Sequence, residues 1–274
     1  MPAATAPLRR LQEDGMAKSG FETIAGCKIK VMRAGAGNPL LFLHGAGGAS
    51  AWSPFMERLA RSFEVIVPEH PGFGDSDAPD WLDAVGDLAY FYLDLVRQFS
   101  LADLHLVGTS IGGWIACELA IRDCSALASL TLVAPAGLRL KGVPKADIFM
   151  LAPEEYARNL FYNERLAEAA IAHKPSEAEL EAQLKNRLTT ARLAWAPRLY
   201  SPDLHKWLHR ISAPTLIAWG EDDRIIPSAY GPLFQSLIPG SRLTTIAQCG
   251  HLPHVEKASE LADLIGSFCR EARP

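Results

Sequence analysis

The stretch from Leu104 to Gly113 reads LHLVGTSIGG and sets Ser110 in a Gly-x-Ser-x-Gly motif between a short apolar run and a helical pattern. A serine hydroxyl is a weak nucleophile at its own pKa and needs a base beside it before it attacks a carbonyl. A tight strand-to-helix corner suits that chemistry: it turns the hydroxyl outward in strained backbone, and Gly108 and Gly112 let the turn pass close to its neighbours. It also sets the Ile111 N–H and the positive end of the helix dipole where a developing oxyanion would lie. A plain glycine-rich turn with Ser110 capping the helix uses the same residues. What favours the nucleophile is the strand on one side and the helix on the other.

A second segment, LLFLHGAGG from Leu40 to Gly48, again runs a buried strand into small residues, and Ala46 is the candidate second N–H donor to an oxyanion. Together with HPGFGDSD at His70 to Asp77 and the elbow at Ser110, this loop resembles the α/β-hydrolase superfamily. The resemblance runs from Phe21 to the C-terminus and is interrupted at 138–205, a stretch similar to that superfamily's variable cap. It implies an eight-stranded, mostly parallel sheet flanked by helices, a helical cap after the sixth strand, no cofactor, and a triad in the chain order serine, acid, histidine. The acid position falls on Asp223 in TLIAWGEDDRIIP, with Asp222 beside it; the alternative acid position after the sixth strand holds Ala134, Pro135 and Ala136. The histidine falls on His251 in QCGHLPHVE, and His44, His70, His105 and His254 are the competing imidazoles.

Hydrophobic periodicity supplies the elements that would hold these groups. Ile29 to Met32, Leu40 to Leu43, Phe63 to Val67, Leu104 to Val107, Leu127 to Val133, Thr215 to Trp219 and Arg242 to Ile246 read as strands. Trp52 to Arg61, Asp87 to Phe99, Ile111 to Arg122, Tyr230 to Leu237 and Ser259 to Arg270 read as helices between them. Such alternation implies βαβ units and a site beyond the carboxyl ends of the strands. From 138 to 205 the alternation fails, and Pro153 to Ala172 and Ser176 to Ala194 read as successive helices. The expected organisation is a tail over 1–20, a core over 21–137 and 206–274, and a helical cap over 138–205.

The chain has 274 residues, 49% hydrophobic and 21% charged, with a formal net charge of -4, so a single large α/β unit fits and no basic field recommends nucleic acid. Its five cysteines are odd in number and scattered, which reads as reduced, buried thiols in a cytoplasmic protein. No closely spaced Cys and His ligands suggest a metal. Neither a secretory apolar stretch near the N-terminus nor a membrane-spanning run is evident, and Met16 is a second candidate start. Within 138–205, Phe149, Met150, Phe161, Trp195 and Tyr200 are the expected pocket residues, among an apolar set that also includes Leu199 and, just past the segment, Trp207.

The expected function is hydrolysis of a small carboxylic ester with an apolar acyl or alcohol part, through an acyl-enzyme, by a monomer or homodimer. Dehalogenases and epoxide hydrolases of similar sequence use an aspartate nucleophile, and this chain has Ser110. Hydrolases that cut carbon–carbon bonds in vinylogous ketoacids use the same triad; they usually carry a Trp-rich stretch after the histidine, where this chain has Leu252, Pro253 and His254. A ligand receptor on the same fold with slow turnover is the reading from another class.

Overall fold

The computed structural model describes residues 17–272, so the tail expected over 1–20 lies mostly outside the described residues. Its boundary needs correcting: β1 already starts at Lys18 and runs to Ile24, pairing antiparallel with β2 (Cys27–Ala34). The polar, half-exposed β1 is an edge strand with too little alternation to stand out in sequence.

The remaining strands are β3 (Pro39–Leu43), β4 (Glu64–Pro68), β5 (Leu104–Thr109), β6 (Leu127–Val133), β7 (Thr215–Gly220) and β8 (Arg242–Ile246). They form one eight-stranded sheet in the order β1-β2-β4-β3-β5-β6-β7-β8, with every neighbouring pair from β4 onward parallel. Period-two alternation divides these strands between two cores. Leu41, Leu43, Leu104, Leu106, Leu130, Leu132, Ile217 and Trp219 pack on one face with α2 (Val85–Gln98), α3 (Ile111–Arg122) and α8 (Tyr230–Leu237). Leu40, Phe42, Val65, Val107, Val133, Ala218 and Ile246 pack on the other with α1 (Pro54–Ala60) and α10 (Ala258–Glu271). Burial on both faces is why these strands read as continuous apolar runs. Helix α3 is buried from Ile111 to Ala120, including the glycines Gly112 and Gly113, and so has no polar face.

Between β6 and β7 lie α4 (Pro153–Leu160), α5 (Glu164–Ala172), α6 (Glu177–Ala194) and the short α7 (Leu204–Trp207). The helical stretch read as Pro153 to Ala172 is two helices broken at 161–163, where Asn163 caps α5 by accepting from the Arg165 N–H. The two ends of this segment meet: Gly137 N–H donates to Leu199 O at 3.2 Å and Ser201 N–H to Gly137 O at 2.9 Å. After β8 comes α9 (Pro253–Glu256), a single turn too short to give a periodic signal in sequence.

Candidate active site

Parallel strands bring the carboxyl ends of β3, β5, β7 and β8 to one edge, and each delivers one part of the site. Ser110 follows β5 with φ 54° and ψ -118°, a left-handed geometry uncommon for a residue with a side chain, and α3 begins at the next residue. Its backbone is pinned there: Ser110 N–H donates to Val133 O at 2.9 Å, and its carbonyl accepts from Trp114 and Ala136. A Cβ at Gly112 would stand 2.1 Å from Leu43 O and one at Gly108 2.3 Å from Gly112 O, so only glycines let α3 leave the corner this steeply. The first helical N–H groups have no intrahelical acceptor, and that of Ile111 stands beside the serine.

Asp223, after β7, and His251, after β8, are both buried. His251 Nδ1 lies 2.7 Å from Asp223 Oδ2, and His251 Nε2 lies 3.0 Å from Ser110 Oγ. A carboxylate only accepts, so Nδ1 carries the proton and leaves Nε2 free to take one from the serine hydroxyl. Asp223 is held firmly: its Oδ1 accepts from Ile225 N–H at 2.8 Å and Ile226 N–H at 2.9 Å, and its Oδ2 accepts also from Trp219 Nε1–H at 3.2 Å. Asp222 is half-buried and lies outside this set. Cys249, two residues before the histidine, is no rival nucleophile, since burial and the Glu256 charge push its thiol up to about 12.

The loop after β3 crosses close to the serine. A Cβ on Gly45 would stand 3.2 Å from the Ser110 Cβ, so Gly45 permits the approach, and Ala46 follows in the same loop. Here His44 and His70 have a bracing role. Their rings stack at 3.6 Å, His70 N–H donates to His44 Nε2 at 3.0 Å, and His70 Nε2–H returns to His44 O at 2.9 Å. The Tyr92 hydroxyl bonds His70 Nδ1, and His44 Nδ1–H donates to Gly45 O at 2.7 Å. Burial holds both imidazoles neutral, with His44 lowered to about 4. His105 pairs elsewhere, with Ser129 Oγ at 2.8 Å.

Two residues that sequence reasoning left without a role tie the site to the helices above it. Glu256 Oε1 accepts from Gly250 N–H at 2.7 Å, while its Oε2 accepts from Tyr162 N–H at 3.0 Å and Asn163 N–H at 2.9 Å. His251 N–H donates to Leu160 O at 2.8 Å. Asn186 on α6 donates to Gly47 O at 3.0 Å and accepts from Gly74 N–H at 2.8 Å. Glu256 had a signal, as the last residue of the QCGHLPHVE stretch; Asn186 had none, because its partners are 112 and 139 residues away.

A cavity of about 260 Å³ opens over Ser110 and His251. Its walls are Gly45, Ala46, Gly47, Gly48 and Thr109 from the core, Ile148, Tyr156, Leu160 and Leu199 from the segment between β6 and β7, and Ala136, Ile225, Ile226, Leu252 and His254. His254 is held neutral, lowered to about 4 by burial and then by His251, and its Nδ1 is buried without a hydrogen-bond partner. The expected pocket residues need correcting. None of Phe149, Met150, Phe161, Trp195 or Tyr200 lines this cavity; their neighbours Ile148, Leu160 and Leu199 do. Three of these rings lie against cations instead. Arg198 stacks over Trp195 at 4.0 Å and Phe149 at 5.3 Å, and Lys145 and Arg139 lie 5.5 and 5.7 Å from the Tyr200 ring. Among the described residues, no group of three or more His, Cys, Asp or Glu could hold a metal ion, and no helix is long and apolar enough to cross a membrane.

The sequence pattern of the α/β hydrolase fold family matches residues 38–258. The chain is similar to a 2-hydroxymuconate semialdehyde hydrolase of Pseudomonas sp. (strain CF600), 31% identical over 281 residues that cover 92% of this chain and 94% of that protein. It is also similar to lipase 1 of Psychrobacter immobilis, 27% identical over 252 residues, 85% of this chain and 77% of that one. The crystal structure of a meta-cleavage product hydrolase superposes with a TM-score of 0.78 at 21% identity, covering 92% and 98% of the two chains, a likeness of fold. The chain belongs to the α/β hydrolase fold family.

Proposed function

We propose that this protein is a serine hydrolase that cleaves carboxylic esters carrying an apolar acyl or alcohol part. The observation that carries the reading is the hydrogen-bonded series Ser110, His251 and Asp223 opening into a cavity with no Asp, Glu, Lys or Arg in its walls. His251 takes the serine proton as Ser110 Oγ attacks the ester carbonyl, and Asp223 holds the imidazole tautomer and steadies the imidazolium. The Ile111 and Ala46 N–H groups receive the oxyanion, each worth about 3 kcal/mol to the transition state. Collapse expels the alcohol with the proton from His251, and water then releases the acid by the reverse proton path. Residues 138–205 act as a cap, supplying the apolar wall from Ile148, Tyr156, Leu160 and Leu199.

The second reading is hydrolysis of a carbon–carbon bond in a vinylogous ketoacid, favoured by the similarity to the 2-hydroxymuconate semialdehyde hydrolase. Such a substrate carries a carboxylate, and burying a charge without a counter-charge is costly. The uncharged cavity therefore argues for the ester. The test is a series of p-nitrophenyl esters of rising acyl length run beside a dienoic ketoacid. The proposal expects sustained turnover and the higher kcat/KM on an ester. A higher kcat/KM on the ketoacid would transfer the assignment to the second reading, and a stoichiometric burst without turnover would point to a receptor.

A further inference from the structure

Helix α6 carries an apolar stripe on its solvent side and polar anchors on its core side. The side turned to the core is fastened by polar bonds: Asn186 to Gly47 and Gly74, Thr189 Oγ1 to Gly72 O at 2.6 Å, and Lys185 Nζ to Gly74 O and Ser76 O at 2.7 and 2.6 Å. The side turned to solvent bears Leu180, Leu184 and Leu188, which are 52%, 60% and 63% exposed. Residues four apart on a helix lie nearly in line, so these leucines form one stripe, which exposed Trp195 extends by two further turns. A single exposed leucine is ordinary, but a solvated helix face is normally charged. The exposed charges beside the stripe are also sorted along the axis, with Glu177 and Glu181 in the first half and Arg187 and Arg192 in the second.

We propose that this stripe is the contact between two copies of the chain, α6 packed antiparallel on α6 about a two-fold axis near Leu184. That arrangement sets Leu180 against Leu188 of the partner subunit and the acidic half of each helix against the basic half of the other; a parallel pairing would set acid on acid. A lipid surface fits less well. Helices lying on membranes send a Lys- and Arg-rich face to the headgroups, whereas the polar face of α6 is spent on the core, its own six charges cancel, and the chain carries a formal net charge of -4.

Sedimentation equilibrium of the full chain tests the proposal, because a dimer held by this contact depends on concentration. The wild type is expected to be a dimer, and Leu184→Glu, with an unchanged circular dichroism spectrum, to be a monomer with a dimer Kd at least about a hundredfold higher, since a charge is buried at the centre of the contact. Glu181→Lys is expected to weaken the dimer severalfold, and less so in high salt. Should Leu184→Glu misfold, the Leu184→Gln and Leu188→Gln pair reads the same contact without a charge. A wild type that stays monomeric at about 100 µM, above the Kd of stable interfaces, overturns the proposal. So does a dimer untouched by the leucine variants, or a monomer that cosediments with phosphatidylcholine vesicles.

Discussion

The sheet and the segment between β6 and β7 hold their parts of the site with different shares of apolar packing and hydrogen bonding. Below, Ser110, Asp223 and His251 sit at the ends of strands buried on both faces, so their backbone positions follow from apolar packing that fills two cores. Above, the segment joins one of these apolar cores through Leu193, Ala194 and Leu199, and near the site it adds hydrogen bonds: Asn186 donates to Gly47 O, Glu256 accepts from the Tyr162 and Asn163 N–H groups, and His251 N–H donates to Leu160 O. Close-packed interiors admit few alternative arrangements, whereas a single hydrogen bond contributes about 1 kcal/mol net. The chemistry is thus set by the rigid layer, and the shape of the pocket by the more easily adjusted one.

That contrast is sharpest when the triad and the tie between the layers are each altered in turn. Ser110→Ala is expected to lower kcat for p-nitrophenyl butyrate by about 10⁵-fold or more with an unchanged melting temperature; retained activity above about a hundredth would remove the serine from the mechanism. Asp223→Asn should cost about 10⁴-fold, because an amide holds the wrong imidazole tautomer, while Asp222→Asn should stay near wild type; the opposite ranking would move the acid by one residue. Glu256→Gln acts only through the turn at Gly250 and the chain at 162–163. It should lower kcat about tenfold and stability by about 1–2 kcal/mol, since the acceptor loses its charge but keeps its shape. A kcat as low as that of Asp223→Asn would show that the tie between the two layers is as decisive as the triad.

Much of the lower layer is legible in sequence, because continuous apolar runs and glycine corners are local signals. The helix Ile111–Arg122 and the strands Leu127–Val133 and Arg242–Ile246 have the limits that periodicity implies. Three residues far apart in the chain, Ser110, Asp223 and His251, come together as the motif order implies. The upper layer is legible only as helices. Which side of each strand or turn faces the cavity depends on tertiary partners, so sequence points to Phe149, Phe161 and Tyr200 where Ile148, Leu160 and Leu199 line it. Large aromatic residues suit a pocket by their bulk, yet three of the five expected rings lie against Arg198, Arg139 and Lys145 rather than in the cavity wall.

Smaller effects separate the layers further. His44 and His254 are buried with pKa values lowered from 6.5 to about 4, and His70 is lowered too, so the unfolded chain takes up protons that the folded chain refuses. The stability they contribute is complete above about pH 6.5 and is lost as pH falls towards about 4, by about 1.4 kcal/mol for each group over each pH unit of that window. Glu69, whose carboxyl is raised by burial, offsets part of this loss. Melting temperature is therefore expected to drop across that window, and a flat profile would mean these rings are not held neutral. Least of all, Ile148→Phe adds bulk to the upper wall of the cavity, and the preferred acyl chain should shorten with kcat/KM for p-nitrophenyl acetate within a few-fold of wild type. An unchanged chain-length profile would place the acyl group elsewhere.

The most direct test of the serine mechanism is to trap the acyl-enzyme. Rapid acid quench during turnover of p-nitrophenyl butyrate, followed by peptide mass spectrometry, is expected to find a single butyryl group on the peptide that carries Ser110 and none in Ser110→Ala. A butyryl group on any other residue, or the same labelling in Ser110→Ala, would contradict it.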